Sequence, residues 1–131
     1  MILVDTSVWI EFLEGKEHWT KDRLKEKIID RETIGYIDMI LLEIIQGVRE
    51  RKEREILELK FQSFIELSVR RSTVMLAAEI YQELQRKGIR IRSIIDCLIS
   101  AVGIETGAVI LHKDRDFDCI ANNFPIIVEK P

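Results

Sequence analysis

Short apolar runs alternate with longer segments of helical period along the whole chain, and this alternation constrains the fold more than any other feature. Met1–Val4, Thr33–Ile37, Phe64–Ser68, Ala108–His112 and Ile126–Val128 read as strands, because they are brief, apolar or β-branched, and bounded by polar or turn residues. Between them lie helical segments: Ser7–Leu13 stopping near Gly15, Lys21–Asp30, Met39 to about Glu50 behind an Asp38 N-cap, and Lys52–Ser63. Ser72–Lys87, ending at Gly88, is clearly amphipathic, and Ser93–Thr106 and Asp116–Asn122 complete the set. Strands alternating with helices predict an α/β fold, a mainly parallel sheet flanked by helices. No repeat, linker or composition break divides the chain, so residues 1–131 are expected to form one domain.

In parallel sheets, sites form at the carboxyl ends of the strands. That rule puts Asp5, just after the first strand, and Asp114, just after Ala108–His112, at one edge. Each acid also has a plainer reading. Asp5 in LVDTS, with Thr6 and Ser7 beside it, is a carboxylate aimed into a site or a helix N-cap. Glu43 in LLEIIQG shares a helix face with Gln46, Gly47 and Glu50, which periodicity alone reads as solvated. Gly47 weakens that reading, because a glycine within a helix costs about 1 kcal/mol against alanine and often marks a close approach. Asp96 completes a capping box with Ser93, yet it also lies over Ser100 and Gly103, where small residues leave room for an ion, a phosphate or another backbone. In HKDRDFD, Asp114, Asp116 and Asp118 begin like a calcium loop, but no glycine stands sixth and Pro125 stands twelfth.

Charge and motif content exclude several functions. A formal net charge of −3 argues against a general basic coat for nonspecific nucleic-acid binding, although bound metal reverses the sign of an acidic site. There is no GxSxG elbow, no GxxxxGK[ST] phosphate loop and no GxGxxG. The two histidines, His18 and His112, are too few for a His-rich zinc site, and His112 reads as a half-buried strand-end residue. No apolar stretch approaches the roughly 20 residues of a bilayer span, and the start MILVDTSVWIEF lacks a basic region. Cys97 and Cys119 fit reduced thiols, so the expected compartment is the cytoplasm. Arg86, Lys87, Arg90 and Arg92 form an acid-free cationic run leading into the helix of Asp96, a solvated loop or a holder of a phosphate backbone beside the acids. Arg49, Arg51, Lys52 and Arg54 alternate with glutamates and read as surface charge.

Taken in order, LVDTSVWI, LLEIIQG, IRSIIDCLISA and ILHKDRDFDCIA resemble the motifs of the PIN-domain ribonucleases, and within them the VapC-type toxins of toxin–antitoxin pairs. The resemblance covers nearly the whole chain and implies a PIN-type fold. It implies that Asp5, Glu43, Asp96 and Asp114 form the acidic quartet holding Mg²⁺ or Mn²⁺. Asp116 matches a frequent further acid, and Thr6 or Ser7 a hydroxyl position that orients the first aspartate. It also implies metal-dependent endonucleolytic cleavage of RNA, a small VapB-type antitoxin that obstructs the site, and a homodimer.

The chemistry agrees with that set. Carboxylates about 5 Å apart repel by roughly 3 kcal/mol per pair at an effective dielectric of about 20, so a converged quartet must hold protons, spread or bind cations. Hard oxygen donors without His or Cys favour Mg²⁺ or Mn²⁺ over zinc. Asp5 and Asp96 are expected to be the principal ligands, with Glu43 and Asp114 holding metal, water or a second ion. Metal-activated water as nucleophile would leave 5′-phosphate and 3′-hydroxyl ends. Two other readings remain at this point: a PIN-like module that binds protein or RNA without cutting, and a receiver- or phosphatase-like phosphotransfer domain. The second is disfavoured by Ser7, where a phosphatase wants aspartate, and by the lack of an acid after a central strand to accept phosphate.

Overall fold

A computed structural model describes all residues 1–131. Five strands form one parallel sheet: β1 Ile2–Val4, β2 Ile34–Tyr36, β3 Ile65–Glu66, β4 Val109–Leu111 and β5 Ile127–Val128, in the order β3-β2-β1-β4-β5. Seven helices connect them: α1 Thr6–Glu14, α2 Trp19–Ile29, α3 Asp38–Gln46, α4 Arg51–Phe61, α5 Arg71–Arg86, α6 Ile94–Thr106 and α7 Arg115–Ala121. The α/β expectation is met, with every expected strand and helix present and boundaries moved by a few residues. No helix is long and apolar enough to cross a membrane.

The order of the strands positions the site. The chain builds outward from β1 to β2 and β3, then returns past them to lay β4 against the other side of β1. The neighbours β1 and β4 therefore send their following segments in opposite directions, which opens a crevice at their carboxyl ends. Every residue of β1 is buried, as a strand covered on both faces requires. In register, Val4 pairs with Leu111, and the Asp5 amide continues the ladder to the Leu111 carbonyl at 2.9 Å. Asp5 thus leaves the sheet level with His112, two residues before Asp114.

Helix α6 reaches this crevice because its inner face is small. A Cβ at Gly103 would stand 3.0 Å from Ile110 Cδ1 of β4, and Ser100 is fully buried one turn earlier. The small-residue face below Asp96 is therefore taken up by packing on the sheet, while Asp96 itself projects at the edge.

Two local expectations fail around α3. Asp38 does not cap the helix: Ile37 occupies that position without a side-chain bond, and Asp38 is the first helical residue, where a negative charge suits the dipole. The helix stops at Gln46 rather than near Glu50. Gly47 is its C-terminal cap, and a Cβ there would meet only the Ile44 carbonyl at an ordinary 3.6 Å. Gly47 ends a helix and does not mark a close approach. Cys97 is buried and Cys119 half-buried, both as free thiols, and burial pushes the Cys97 thiol up to about 12.

Candidate metal centre

Five acids gather where β1 and β4 end, each delivered by a different local cause. Asp5 caps α1, accepting from the Ser7 amide at 3.1 Å and from the Ser7 hydroxyl. Asp114 caps α7, accepting from the Asp116 amide at 3.0 Å. The capping and the functional readings of these two residues are thus compatible, since a cap fixes a carboxylate at a helix start and leaves lone pairs free. Asp116, one residue into α7, is only 4% exposed and accepts from the Arg92 amide at 3.0 Å. Glu43 faces Asp5 and Thr6 from α3, so it does not sit on an ordinary solvated face. The Thr6 hydroxyl lowers the Glu43 pKa, yet Thr6 Oγ1 makes no hydrogen bond of standard geometry.

Asp96 differs from the rest. The expected capping box is absent: Ser93 caps α6 by accepting from Ile95, and the Asp96 side chain donates and accepts nothing. It is 7% exposed, and its Oδ2 is buried without a partner. Burial first, then the charges of Asp5, Asp114, Asp116 and Glu43, push its pKa up to about 8. A buried unpaired carboxylate is costly enough that proteins keep one mainly where something else completes it. Burial also raises Asp5, against the pull of Ser7, and raises Glu43, with Asp5 adding to the effect.

One oxygen each from Asp96, Asp114 and Asp116 lies within 4.8 Å of the others. Ligand oxygens around an octahedral magnesium stand about 3 to 4 Å apart, so a small contraction of this trio makes a coordination shell. The donor set is all carboxylate oxygen and includes Asp96, whose buried Oδ2 lacks a partner, which fits a hard divalent ion. Sequence reasoning had Asp116 as an auxiliary acid, and the geometry puts it in the tight trio. Asp5 and Glu43 stand beside the trio rather than in it.

The cationic run is not one patch. Arg86 pairs with Glu83 at 3.3 Å and Lys87 bonds Asn123 at 2.9 Å, while Arg90 makes no ion pair. Only Arg92 reaches the acids, at 3.0 Å from Asp114 and 3.6 Å from Asp116. Arg51 and Arg54 pair with Glu55 and Glu58 on the surface of α4, as expected for solvated charge.

Sequence reasoning missed Glu11, a buried acid on α1 paired with Lys113, at the rim of the crevice. The available signal was a lone acid inside the apolar stretch VWIEFL. His112 is more buried than expected, packed at 4.9 Å against Phe117 with the rings tilted by 38°, and its burial lowers its pKa.

The parallel α/β sheet with an acidic crevice at its switch point places the protein among the α/β folds that carry their sites at the carboxyl ends of the strands. The PIN domain family matches residues 2–123, and the chain belongs to that family. Ribonuclease VapC11 of Mycobacterium tuberculosis is 34% identical over 123 residues, covering 92% of each chain. The solved VapBC2 structure of Rickettsia felis, bound to a promoter DNA fragment, shares the fold with a TM-score of 0.76 at 19% identity, covering 98% of each chain. VapC20 of M. tuberculosis, a toxin that cleaves the sarcin–ricin loop, shares it with a TM-score of 0.65 at 20% identity over 95% of this chain and 96% of that one.

Proposed function

We propose that the protein is a Mg²⁺- or Mn²⁺-dependent endoribonuclease, the toxin of a VapBC-type pair, acting as a single domain over residues 1–131. The observation that carries this reading is the buried, unpartnered Asp96 carboxylate within 4.8 Å of Asp114 and Asp116 at the β1/β4 switch point. The 34% identity to a VapC ribonuclease supports the same activity.

Asp96, Asp114 and Asp116 would hold the ion, with Asp5 completing the charge from the opposite side of the crevice. A divalent ion bound there supplies a water of lowered pKa and neutralises charge on the phosphate. Ser7 holds the Asp5 carboxylate in one orientation through its amide and hydroxyl. Glu43, facing Asp5 and Thr6 from α3, is placed to take the proton of the attacking water, and burial and the Asp5 charge make its carboxylate more basic than an ordinary one. Lys113, at the rim of the crevice, is neutralised by its pair with Glu11.

The test is cleavage of transfer, ribosomal and messenger RNA by wild type and Asp96→Asn, in Mg²⁺, in Mn²⁺ and in EDTA. Metal-dependent cutting lost in the variant supports the reading. Equal cutting by a folded Asp96→Asn protein would sink it, and no cutting with retained RNA binding would favour the non-catalytic module.

The partner reading rests on a second surface. A groove of about 260 Å³ between α1, α2 and α4 is lined by Trp9, Phe12, Leu13, Ile28, Phe61 and Phe64, and Leu13 is 43% exposed. We propose that the apolar face of an antitoxin segment fills it, in keeping with helix-in-groove recognition. Val74 and Met75, exposed on α5, offer apolar surface for the expected homodimer.

A further inference from the structure

The guanidinium of Arg92 stands where the acids would receive a cation. Its Nη2 donates to Asp114 Oδ1 at 3.0 Å, and its Nε lies 3.6 Å from Asp116 Oδ2, so it spans two of the three converging carboxylates. The backbone of Arg92 is tied separately, its amide donating to Asp116 Oδ2 at 3.0 Å. The residue therefore has a fixed pivot and a side chain free to leave, since 64% of that side chain is exposed.

The carboxylate oxygens are shared. Asp114 Oδ1 already takes the Asp116 amide as well as Arg92, and Asp116 Oδ2 takes the Arg92 amide. A divalent ion drawing on these oxygens competes with the guanidinium for lone pairs and repels its charge. Arg92 pairs with no third acid that could retain it. Beside it runs an open groove of about 410 Å³, lined among others by Ser7, Glu11, Lys16, Lys113 and Asp114. Lys113 is engaged by Glu11 and Lys16 by Glu14, so a released Arg92 is the cation of that groove with no acid of its own.

We propose that Arg92 is an exchangeable counterion: it neutralises Asp114 and Asp116 until a divalent ion enters, then swings on its tied backbone into the adjacent groove and binds a phosphate of the RNA. This rests on the metal-dependent reading of the site. The guanidinium suits both stations, because its planar fork matches carboxylate and phosphate alike. Metal loading and RNA binding are thereby coupled through one side chain.

The experiment is calorimetric titration of Mn²⁺ into metal-stripped wild type, Arg92→Gln and Arg92→Lys, with the arginine Nε–H resonances of wild type followed during Mg²⁺ addition. Removing the competitor should tighten Mn²⁺ binding by roughly two- to fivefold in Arg92→Gln, the size expected for an exposed ion pair, while Arg92→Lys stays near wild type. The Arg92 Nε–H signal should move with the same saturation as Mg²⁺ binding. Affinity for a mixed-sequence phosphorothioate oligoribonucleotide should fall more in Arg92→Gln with Mg²⁺ present than in EDTA. Equal Mn²⁺ affinities and an unmoved Nε–H signal at saturating Mg²⁺ overturn the exchange and leave the metal centre standing. Absence of Mn²⁺ binding in every protein overturns both.

Discussion

The carboxyl edge of one sheet carries two groups of touching acids, and they behave differently. At the β1/β4 end, Asp96 is buried with an unpartnered oxygen among four other carboxylates. At the β2/β3 end, Asp38 and Glu66 also meet, and Asp38 raises the Glu66 pKa by sharing a hydrogen bond and by its charge. Both of those residues are exposed, so water and a shared proton relieve the repulsion. The first group lies at the switch point, where diverging connections open a crevice, and the second lies between strands whose connections run the same way. Proximity of acids is common to both groups; what sets the first apart is burial that denies Asp96 water.

The largest expected effect comes from relieving the buried group. Between about pH 4 and the Asp96 pKa of about 8, the folded metal-free protein keeps a proton there that the unfolded chain has released. Its stability should therefore fall as pH rises through that window. Asp96→Asn removes the liability and should raise the stability of the metal-free protein at pH 7 by on the order of 2–4 kcal/mol, read from urea melts. The same substitution should abolish calorimetric Mn²⁺ binding and lower RNA cleavage by roughly 10²-fold or more. A stabilised variant that still binds Mn²⁺ normally would break the contrast between the two acid groups.

Next is the pH dependence of the metal itself. Because Asp96 must lose its proton to act as a ligand, Mn²⁺ affinity of wild type should rise between pH 6 and pH 8, by roughly fivefold per unit, with proton release detectable in buffers of different ionisation enthalpy. A flat profile would mean that the trio binds without Asp96. Glu43→Gln should leave Mn²⁺ binding nearly intact and lower kcat by about a hundredfold, with loss of one limb of the pH–rate profile. A smaller effect belongs to the partner groove: Leu13→Asp should weaken inhibition by a cognate antitoxin about tenfold without changing cleavage by the free protein.

How much of this was legible in the sequence depended on where the determining contact lay. Strand–helix alternation is local, so all twelve elements and the shared edge of Asp5 and Asp114 could be read. The helix ends at Gly15 and Gly107 were equally local, because both adopt the left-handed conformation that glycine permits. Glu43 was ambiguous because helical period reports only a polar face, whereas its environment comes from Asp5 across the crevice. The place of Asp116 in the trio was not legible because its carboxylate is held by the Arg92 amide, 24 residues away. The cationic run looked like one patch on paper. Its geometry turns Arg86 and Lys87 toward Glu83 and Asn123, and only Arg92 toward the site.

The smallest expected effect is the control that gives the comparison its meaning. Asp38→Asn removes one member of the exposed pair, so the Glu66 pKa should return toward the ordinary carboxylate range, a change visible by NMR titration. Since Glu66 is raised in the folded protein, the pair costs stability at neutral pH, and its relief should be felt above the unfolded pKa of Glu66 and vanish in acid. Full exposure limits that relief to a shift close to the error of a melt, and Asp38 also favours the α3 dipole, which offsets it further. Mn²⁺ affinity and cleavage should not change at all. A measurable loss of either in Asp38→Asn would mean that the acidic edge works as one continuous field from β3 to β4, and burial at the switch point would no longer suffice to explain the site.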